Sequence, residues 1–261
     1  MKIATWNVNS VKARLDTVKA WLAEAAPDVV CMQEIKTTDD AFPSEVFEGL
    51  GYNCTVHGQK SYNGVAILSK RPPEDITKGL PAVEGDDHAR YLEAVVPGES
   101  GGMVRVVSIY APNGNPPGTE RFAYKLAWME RLNAHIRRLL SFEEPLVLTG
   151  DYNVIPTPDD CHDPKAWIND ALFQPQSKAA LRTIENLGYT DAFRARNQAA
   201  GQYTFWDYQA GAWRKNHGIR IDHVLLSPQG LDRLRGCGID KHVREGEKPS
   251  DHVPVWAELD L

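Results

Sequence analysis

The chain has 261 residues, of which 42% are hydrophobic and 25% are charged, and its formal net charge is −6. This composition excludes a disordered chain, because enough apolar residues are present to bury a sizeable core. The negative net charge argues against a protein that coats nucleic acid non-specifically, since such binding depends on an excess of Lys and Arg.

Short segments rich in Val, Ile, Tyr and Trp recur along the chain and predict β-strands. The predicted strands cover residues 3–8, 29–33, 64–69, 91–96, 104–110, 146–149, 223–226 and 253–259. Between some of them, apolar residues at steps of three and four predict amphipathic helices. The predicted helices cover residues 11–25, 119–142 and 177–187. Ser10 is the expected N-cap of the first helix.

Strands outnumber helices in this pattern, and many neighbouring strands can pair as hairpins. Both features favour one sheet packed on another, with helices on the outer faces. No linker divides the chain, so we expect a single domain over residues 1–261. Residues 159–171 show no regular pattern and are predicted to form a long surface loop.

The cellular compartment is predicted from what the sequence lacks. The first residues do not have the layout of a secretory signal peptide. No apolar segment approaches the roughly 18 residues that a membrane helix needs. The four cysteines form neither a Cys-x-x-Cys pair nor a zinc-site spacing, which is typical of reduced cysteines in the cytosol. We expect a cytoplasmic monomer with no membrane partner.

Polar and acidic residues recur where the predicted strands end, and loops at such ends commonly carry function. A single Asp after a strand, such as Asp151, is explained equally well as a turn residue. Several such positions together are harder to explain in this way, because clustered carboxylates repel one another unless a cation holds them. The residues at these ends are Asn7, Glu34, Asp151, Asn153, Asp222, Asp251 and His252.

The type of these side chains indicates the type of cation. Oxygen ligands without Cys or paired His suit a hard cation, with Mg²⁺ as the first choice and Mn²⁺ as a working substitute. Mg²⁺ usually takes one or two protein carboxylates and relies on substrate phosphate for other ligands. The pattern therefore fits a phosphodiesterase better than a structural metal site.

Several sequence motifs, and the order in which they occur along the chain, resemble those of the exonuclease III family of abasic-site endonucleases. This family is part of the deoxyribonuclease I-like endonuclease/exonuclease/phosphatase superfamily. The resemblance covers essentially the whole chain. After Asn113 the chain continues Gly114-Asn115-Pro116-Pro117, without the Arg of well-known eukaryotic members, which favours the bacterial branch. The matching motifs are Trp6-Asn7-Val8-Asn9, Gln33-Glu34-Ile35-Lys36, Tyr110-Ala111-Pro112-Asn113, Gly150-Asp151-Tyr152-Asn153, Asn216-His217-Gly218-Ile219-Arg220-Ile221-Asp222 and Ser250-Asp251-His252.

The resemblance implies an α/β fold: a four-layered sandwich of two mixed, mostly antiparallel β-sheets packed face to face, with helices on both outer faces. It also implies metal-dependent hydrolysis of duplex DNA 5′ to abasic sites, and 3′→5′ removal of nucleotides or blocking groups from 3′ ends. The alternative is an enzyme of the same superfamily that acts on inositol phosphates or phospholipid headgroups. A binding protein without catalysis is disfavoured, because every expected catalytic position is filled.

Roles for individual residues follow from the same resemblance. Glu34 is the main expected metal ligand, and Asn7, Asp151, Asn153 and Asp251 are further expected ligands, directly or through water. His252, paired with Asp222, is the expected general base, and Asp151 then serves the leaving 3′ oxygen. In the competing assignment Asp151 is the base and the His–Asp pair orients the phosphate. The side chains of Asn153 and Tyr110 are expected to donate hydrogen bonds to the phosphate.

Substrate contacts are also inferred from the resemblance. Phe205 and Ile221 are expected to line an apolar pocket that admits a sugar without its base, and Ile219 lies where some members carry Trp. Within residues 203–206, we expect Phe205 to face the site and its neighbours to pack elsewhere. The candidates for DNA phosphate contacts are Lys36, Tyr62, Asn63, Arg90 and Asn113.

Overall fold

The computed structural model describes residues 1–81 and 85–261, and β-strands form its centre. Strands with alternating or continuous apolar residues pair into two sheets. In chain order the strands are β1 (Lys2–Asn7), β2 (Val29–Gln33), β3 (Asn53–His57), β4 (Val65–Ser69), β5 (Glu74–Lys78), β6 (Tyr91–Pro97), β7 (Met103–Tyr110), β8 (Leu146–Asp151), β9 (Thr190–Asp191), β10 (Asp222–Leu226), β11 (Leu234–Ile239) and β12 (Val255–Leu259).

Each sheet has six strands. The first has the order β11-β12-β1-β2-β4-β3, and the second has the order β5-β6-β7-β8-β10-β9. Within each sheet one central pair is parallel, β1 with β2 and β7 with β8, while the other pairs are antiparallel. The eight predicted strands are the eight inner strands of the two sheets, and no end differs by more than two residues. The four edge strands are not predicted.

The helices connect the strands and cover the sheets. The α-helices are α1 (Leu15–Ala25), α2 (Ser44–Glu48), α3 (Glu120–Leu140), α4 (Pro164–Trp167), α5 (Pro175–Asn186), α6 (Ala192–Arg196), α7 (Ala212–Lys215) and α8 (Pro228–Leu231). Short 3₁₀ turns occupy Pro158–Asp160, Ala171–Phe173 and Lys241–Glu245.

Two local predictions differ from the structure, namely the start of the first helix and the segment 159–171. The first helix starts at Leu15, not after Ser10, because Ser10 has a positive φ of 83° and residues 11–14 form a turn. The N-cap is therefore Arg14, and the prediction of Ser10 was wrong. The segment 159–171 connects β8 to α5 as predicted, but it contains the short helix α4.

Three apolar clusters produce the layers. Alternate side chains of both sheets, such as Ile3, Ile67, Val106 and Val147, meet between the sheets. The other face of the first sheet packs against α1. The other face of the second sheet packs against α3 and α5 through Trp128, Leu132, Ile136, Leu181 and Ile184. The fold is therefore the four-layered α/β sandwich that the resemblance implies, as the related structures described below confirm.

None of the helices within residues 1–81 and 85–261 is both long enough and apolar enough to cross a lipid bilayer.

Candidate active site

The strand register places three of the predicted residues in one row across the second sheet. Tyr110 at the end of β7 pairs with Asp151 at the end of β8, and Asp151 pairs with Asp222 at the start of β10. The parallel pair β7/β8 ends at the same edge of the sheet, and the antiparallel β10 begins there. Residues far apart in sequence therefore meet at one end of the sandwich.

Asn7 joins this row to the first sheet. Its side-chain Nδ2 donates to Glu34 Oε1 at 2.9 Å and to Asp151 Oδ2 at 3.0 Å. Its Oδ1 accepts a hydrogen bond from the backbone N–H of Asn9. One buried amide thus holds two carboxylates of different sheets side by side.

His252 forms the expected pair with Asp222. Its Nδ1 lies 2.9 Å from Asp222 Oδ2, and Thr204 Oγ1 donates to the same carboxylate oxygen at 2.6 Å. The other ring nitrogen, Nε2, lies 3.9 Å from Asp151 Oδ2. A carboxylate on Nδ1 fixes the tautomer and the orientation of the ring. The sequence does not indicate the role of Thr204, because it lies within a segment of aromatic residues.

The charges at this site are unbalanced. Potential ligand atoms of Glu34, Asp151 and His252 all lie within 4.8 Å of one another. Burial raises the pKa of Asp151 to about 7; His252 opposes this rise, and the carboxylates of Asp222 and Glu34 add to it. Burial opposes the charge of His252, but Asp222 raises its pKa to about 10. The site therefore contains more negative charge than its own imidazole neutralises.

This charge surplus fits a hard cation. The donors are carboxylate oxygens with one imidazole, a ligand set that fits a divalent metal cation. Burial disfavours ionised Glu34, but the Asn7 hydrogen bond and the Lys36 ammonium hold its pKa below the usual value. The nitrogen of Lys36 lies 2.9 Å from Glu34 Oε2. The Glu34 carboxylate is thus ionised at neutral pH.

The backbone around the site is also unusual. Several residues other than glycine have positive φ there, a conformation that costs roughly 1–3 kcal/mol and persists where surrounding contacts impose it. Such conformations cluster at active sites. The residues concerned, with φ between 44° and 53°, are Asn9, Glu34, Lys36, Asn63 and Asn153.

Tyr110 and its neighbours form one side of the site. Burial, together with Glu34 and Asp151, raises the pKa of Tyr110 well above its usual value, so the phenol keeps its proton. The Arg90 guanidinium carbon lies 4.8 Å from the centre of the Tyr110 ring. Asn113 Nδ2 donates to Asn153 Oδ1 at 3.3 Å. These side chains supply hydrogen-bond donors at the rim.

A cavity of about 300 Å³ opens above the cluster. Glu34, Asp151, Asp251 and His252 are among its polar lining, with Tyr110, Asn113 and Asn153. Its apolar lining consists of Trp167, Leu172, Phe205 and Ile221. The sequence does not indicate Trp167 or Leu172, because both lie in or next to the irregular segment that connects β8 to α5.

Phe205 lies directly against His252. The ring centres of Phe205 and His252 are 4.9 Å apart in an edge-to-face arrangement. Its neighbours Tyr203 and Trp206 are buried in a separate cluster with Val253. Phe205 is therefore the aromatic residue of this segment that faces the cavity.

Five predicted contact residues do not line the cavity. Lys36 and Arg90 lie beside it, against Glu34 and Tyr110. Tyr62 lies on the loop before β4, with 71% of its surface exposed. Asn63 is buried, and its backbone carbonyl accepts from the N–H of Lys36. Ile219 is fully buried in an apolar cluster and pairs through its backbone with Phe205. Their predicted contacts with DNA stay predictions.

Comparison with known proteins places these features in context. The model of the Endonuclease/Exonuclease/phosphatase family matches residues 4–252. Exodeoxyribonuclease III of Haemophilus influenzae is 34% identical over 99% of this chain and 100% of its own length. The structure of the 3′ phosphatase NExo from Neisseria bound to product DNA hairpin is 37% identical, with a TM-score of 0.94 and full coverage of both chains. An AP endonuclease from Archaeoglobus fulgidus is 37% identical, with a TM-score of 0.93 and full coverage of both chains.

Proposed function

The chain belongs to the endonuclease/exonuclease/phosphatase family and is a DNA-repair hydrolase of phosphodiester bonds, and from this premise we propose its substrates and the roles of its residues. We propose that it cuts duplex DNA 5′ to abasic sites and removes nucleotides or blocking groups from 3′ ends. One observation carries this proposal: a surplus of carboxylates beside a His–Asp pair and an apolar wall share a single cavity.

We infer that the site binds Mg²⁺, with Mn²⁺ as a substitute. Glu34 and Asp151 would hold it, with Asp251 at the cavity lining. Asn7 and Asn153 are engaged through their side-chain oxygens by Asn9 and Asn113, so they are better placed to orient the carboxylates than to ligate directly. When bound, the cation neutralises charge on the phosphate and supplies several kcal/mol of stabilisation.

His252 is the proposed general base, because Asp222 fixes its ring with Nε2 towards Asp151. Without a cation its pKa is about 10, and positive charge beside Glu34 would lower that pKa. In this assignment Asp151 would serve the leaving 3′ oxygen. In the competing assignment Asp151 accepts the proton and His252 orients the phosphate.

The remaining polar residues would position the phosphate. Tyr110, which keeps its proton, and the side-chain amide of Asn153 are proposed donors to the non-bridging oxygens. Lys36, Arg90 and Asn113 surround the site and are proposed contacts for the flanking backbone.

The apolar wall explains the proposed preference for abasic sites. Phe205 and Ile221, with Leu172 and Trp167, bound a volume of about 300 Å³ above the catalytic residues. A sugar without its base fits a small apolar pocket, whereas a sugar that carries its base fits the pocket less well. A sugar bound there would displace water, which strengthens electrostatic interactions at the phosphate.

A gel assay tests the proposal. A duplex with one central abasic site and a duplex with recessed 3′ ends are incubated with Mg²⁺, with Mn²⁺ and with EDTA. We expect incision 5′ to the abasic site and shortening of 3′ ends in both metals but not in EDTA. A phosphoinositide is the parallel substrate. Release of phosphate from it, with both duplexes intact, would contradict the proposal.

We also propose that the chain acts as a single domain and as a monomer. The family match spans residues 4–252 without interruption, which supports one functional unit. Light scattering of the protein with and without duplex DNA measures its mass. A dimer mass for the active species would contradict the monomer.

A further inference from the structure

Lys125, on α3, is a charged residue with none of its surface exposed. Its Nζ donates to three backbone carbonyls, at 3.0 Å to Pro112, 3.2 Å to Asn113 and 2.6 Å to Asn153. These acceptors engage all three protons of an ammonium group. Burying such a group costs several kcal/mol, which these three hydrogen bonds partly offset.

The three carbonyls belong to the two loops that form the rim of the catalytic cavity. Pro112 and Asn113 follow β7, and Asn153 follows β8. Asn113 and Asn153 both line the cavity, and their side chains are hydrogen-bonded to each other. The N–H of Asn153 in turn donates to Asp151 Oδ1 at 2.9 Å. One ammonium thus connects both loops.

The backbone is shaped to let this side chain pass. Gly114 has a φ of +86°, and a Cβ built on it would lie 2.6 Å from Lys125 Cδ and 3.1 Å from Lys125 Cβ. Only glycine meets both conditions without displacing the lysine. Asn153 has a positive φ of 49° as well, so its carbonyl points in a direction that its backbone would not adopt freely.

We propose that Lys125 is a positioning residue for catalysis: its ammonium ties the loops after β7 and β8 together and so maintains the contact of Asn113 with Asn153 that orients the Asn153 amide towards the scissile phosphate. This inference rests on the proposed function of the same cavity. Lys125 does not line the cavity, so it acts through the residues that it holds. A misplacement of about 1 Å in such groups can cost roughly a hundredfold in rate.

Lys125→Met tests the inference, because methionine keeps a flexible apolar stem and removes all three donors. We expect kcat to fall by about tenfold to a hundredfold while KM changes little, since the DNA contacts at the surface are retained. Lys19→Met, at a partly exposed position of α1, is the control for loss of one charge. Thermal unfolding gives the folded fraction. A loss of kcat no larger than the loss of folded protein would overturn the inference.

A pair of glycine variants provides a second test with a matched control. Gly114→Ala forces a Cβ against the Lys125 stem, whereas Gly118→Ala, at a similar φ of +79°, meets no atom within 4 Å. Both carry the backbone strain, so only Gly114→Ala is expected to reduce kcat per folded molecule. Combined with Lys125→Met, it should add no further loss, because both changes break the same contact. Fully additive losses would overturn the inference.

A measurement that does not depend on cleavage activity distinguishes a failure of this inference from a failure of the proposed function. In ¹⁵N spectra, the side-chain amide signals of Asn113 and Asn153 report their positions directly. We expect both to shift in Lys125→Met but not in Lys19→Met. Unchanged signals would overturn the role of Lys125. Wild-type protein that cuts neither duplex would instead overturn the proposed function, while the spectra would still report the contact.

Discussion

Two buried charged clusters of this protein look alike and differ in charge balance. The proposed catalytic cluster consists of Glu34, Asp151, Asp222 and His252. The Glu93 cluster, between the second sheet and α3, consists of Tyr91, Glu93, Arg105 and His135. In each cluster a ring nitrogen of histidine lies 2.9 Å from a carboxylate oxygen, and an aromatic ring meets the imidazole edge to face.

The two clusters differ in the cations that neutralise their carboxylates. Arg105 Nη1 lies 2.6 Å from Glu93 Oε1, and the phenol of Tyr91 also donates to Glu93. Burial disfavours ionised Glu93, but hydrogen bonds from His135 and Tyr91 hold its pKa below the usual value. By contrast, the pKa of Asp151 is raised to about 7. A buried carboxylate with its own cations is a structural element, whereas a surplus carboxylate requires a cation from outside.

The largest effect on turnover is expected when His252 is replaced, whereas replacement of His135 should leave turnover unchanged. His252→Ala should reduce turnover by about a hundredfold or more, while binding of abasic DNA, followed by fluorescence anisotropy, survives. His135→Ala is the matched control, since it removes the corresponding imidazole from the Glu93 cluster. It should lower the free energy of unfolding by roughly 1–3 kcal/mol and leave turnover per folded molecule unchanged. Near-normal cleavage by His252→Ala would remove the base from the mechanism.

The next effect distinguishes the two glutamates. Glu34→Ala should raise the Mg²⁺ concentration for half-maximal activity by about tenfold or more, because it removes the main proposed ligand. Glu93→Gln should leave this concentration unchanged but destabilise the fold by roughly 1–3 kcal/mol, since Arg105 loses its buried partner and keeps only the more exposed Asp75 and Glu144. The measurement is a metal titration of cleavage, with denaturant unfolding in parallel. An unchanged titration for Glu34→Ala would contradict its role as ligand.

A third effect concerns pH in metal-free protein. The pKa of Asp151 is about 7 in the fold and about 4 in an unfolded chain. Between these pH values the folded state binds more protons, so this group lowers stability as the pH rises. Glu93 has the opposite sign, because its lowered pKa contributes stability that is lost as the pH falls.

Asp151→Asn should therefore gain stability over the wild type at pH 8 and much less at pH 4. Urea unfolding in EDTA at both pH values measures this gain. His252, with its pKa raised to about 10, contributes stability that is lost as the pH rises through that value, so pH 8 is chosen below it. An equal gain at both pH values would show that Asp151 does not titrate as described.

The sheets show which parts of the fold can be predicted from the sequence. All eight inner strands are predicted, and all four edge strands are missed. A strand with one neighbour buries fewer side chains, so its apolar pattern is weak. β5 is mostly exposed, β9 has two residues, and β11 contains Gly236 and Gly238. The order of the strands depends on contacts between distant segments, and only the family resemblance indicates it.

The site shows a similar division. Glu34, Asp151 and Asp222 are predictable because each lies at the end of a strand whose pattern is clear. Thr204 and Lys125 are not, because their roles depend on one hydrogen bond or three carbonyls brought near by the fold. A lysine on a helix is normally exposed, so nothing in the local sequence distinguishes Lys125 from an exposed lysine.

The smallest effect is expected on substrate preference, when Phe205 is replaced and Tyr91 serves as the control. Phe205→Ala should reduce the preference for abasic over intact DNA by about tenfold, because it opens the apolar wall to a nucleotide with its base. Tyr91→Phe keeps the ring against His135 and removes only the donor to Glu93, so it should cost about 1–2 kcal/mol of stability and leave the preference intact. The ratio of kcat/KM for the two duplexes is the measurement. If Phe205→Ala keeps the wild-type ratio, the cavity wall does not select the substrate, and the edge-to-face contacts with His252 and His135 are equivalent packing.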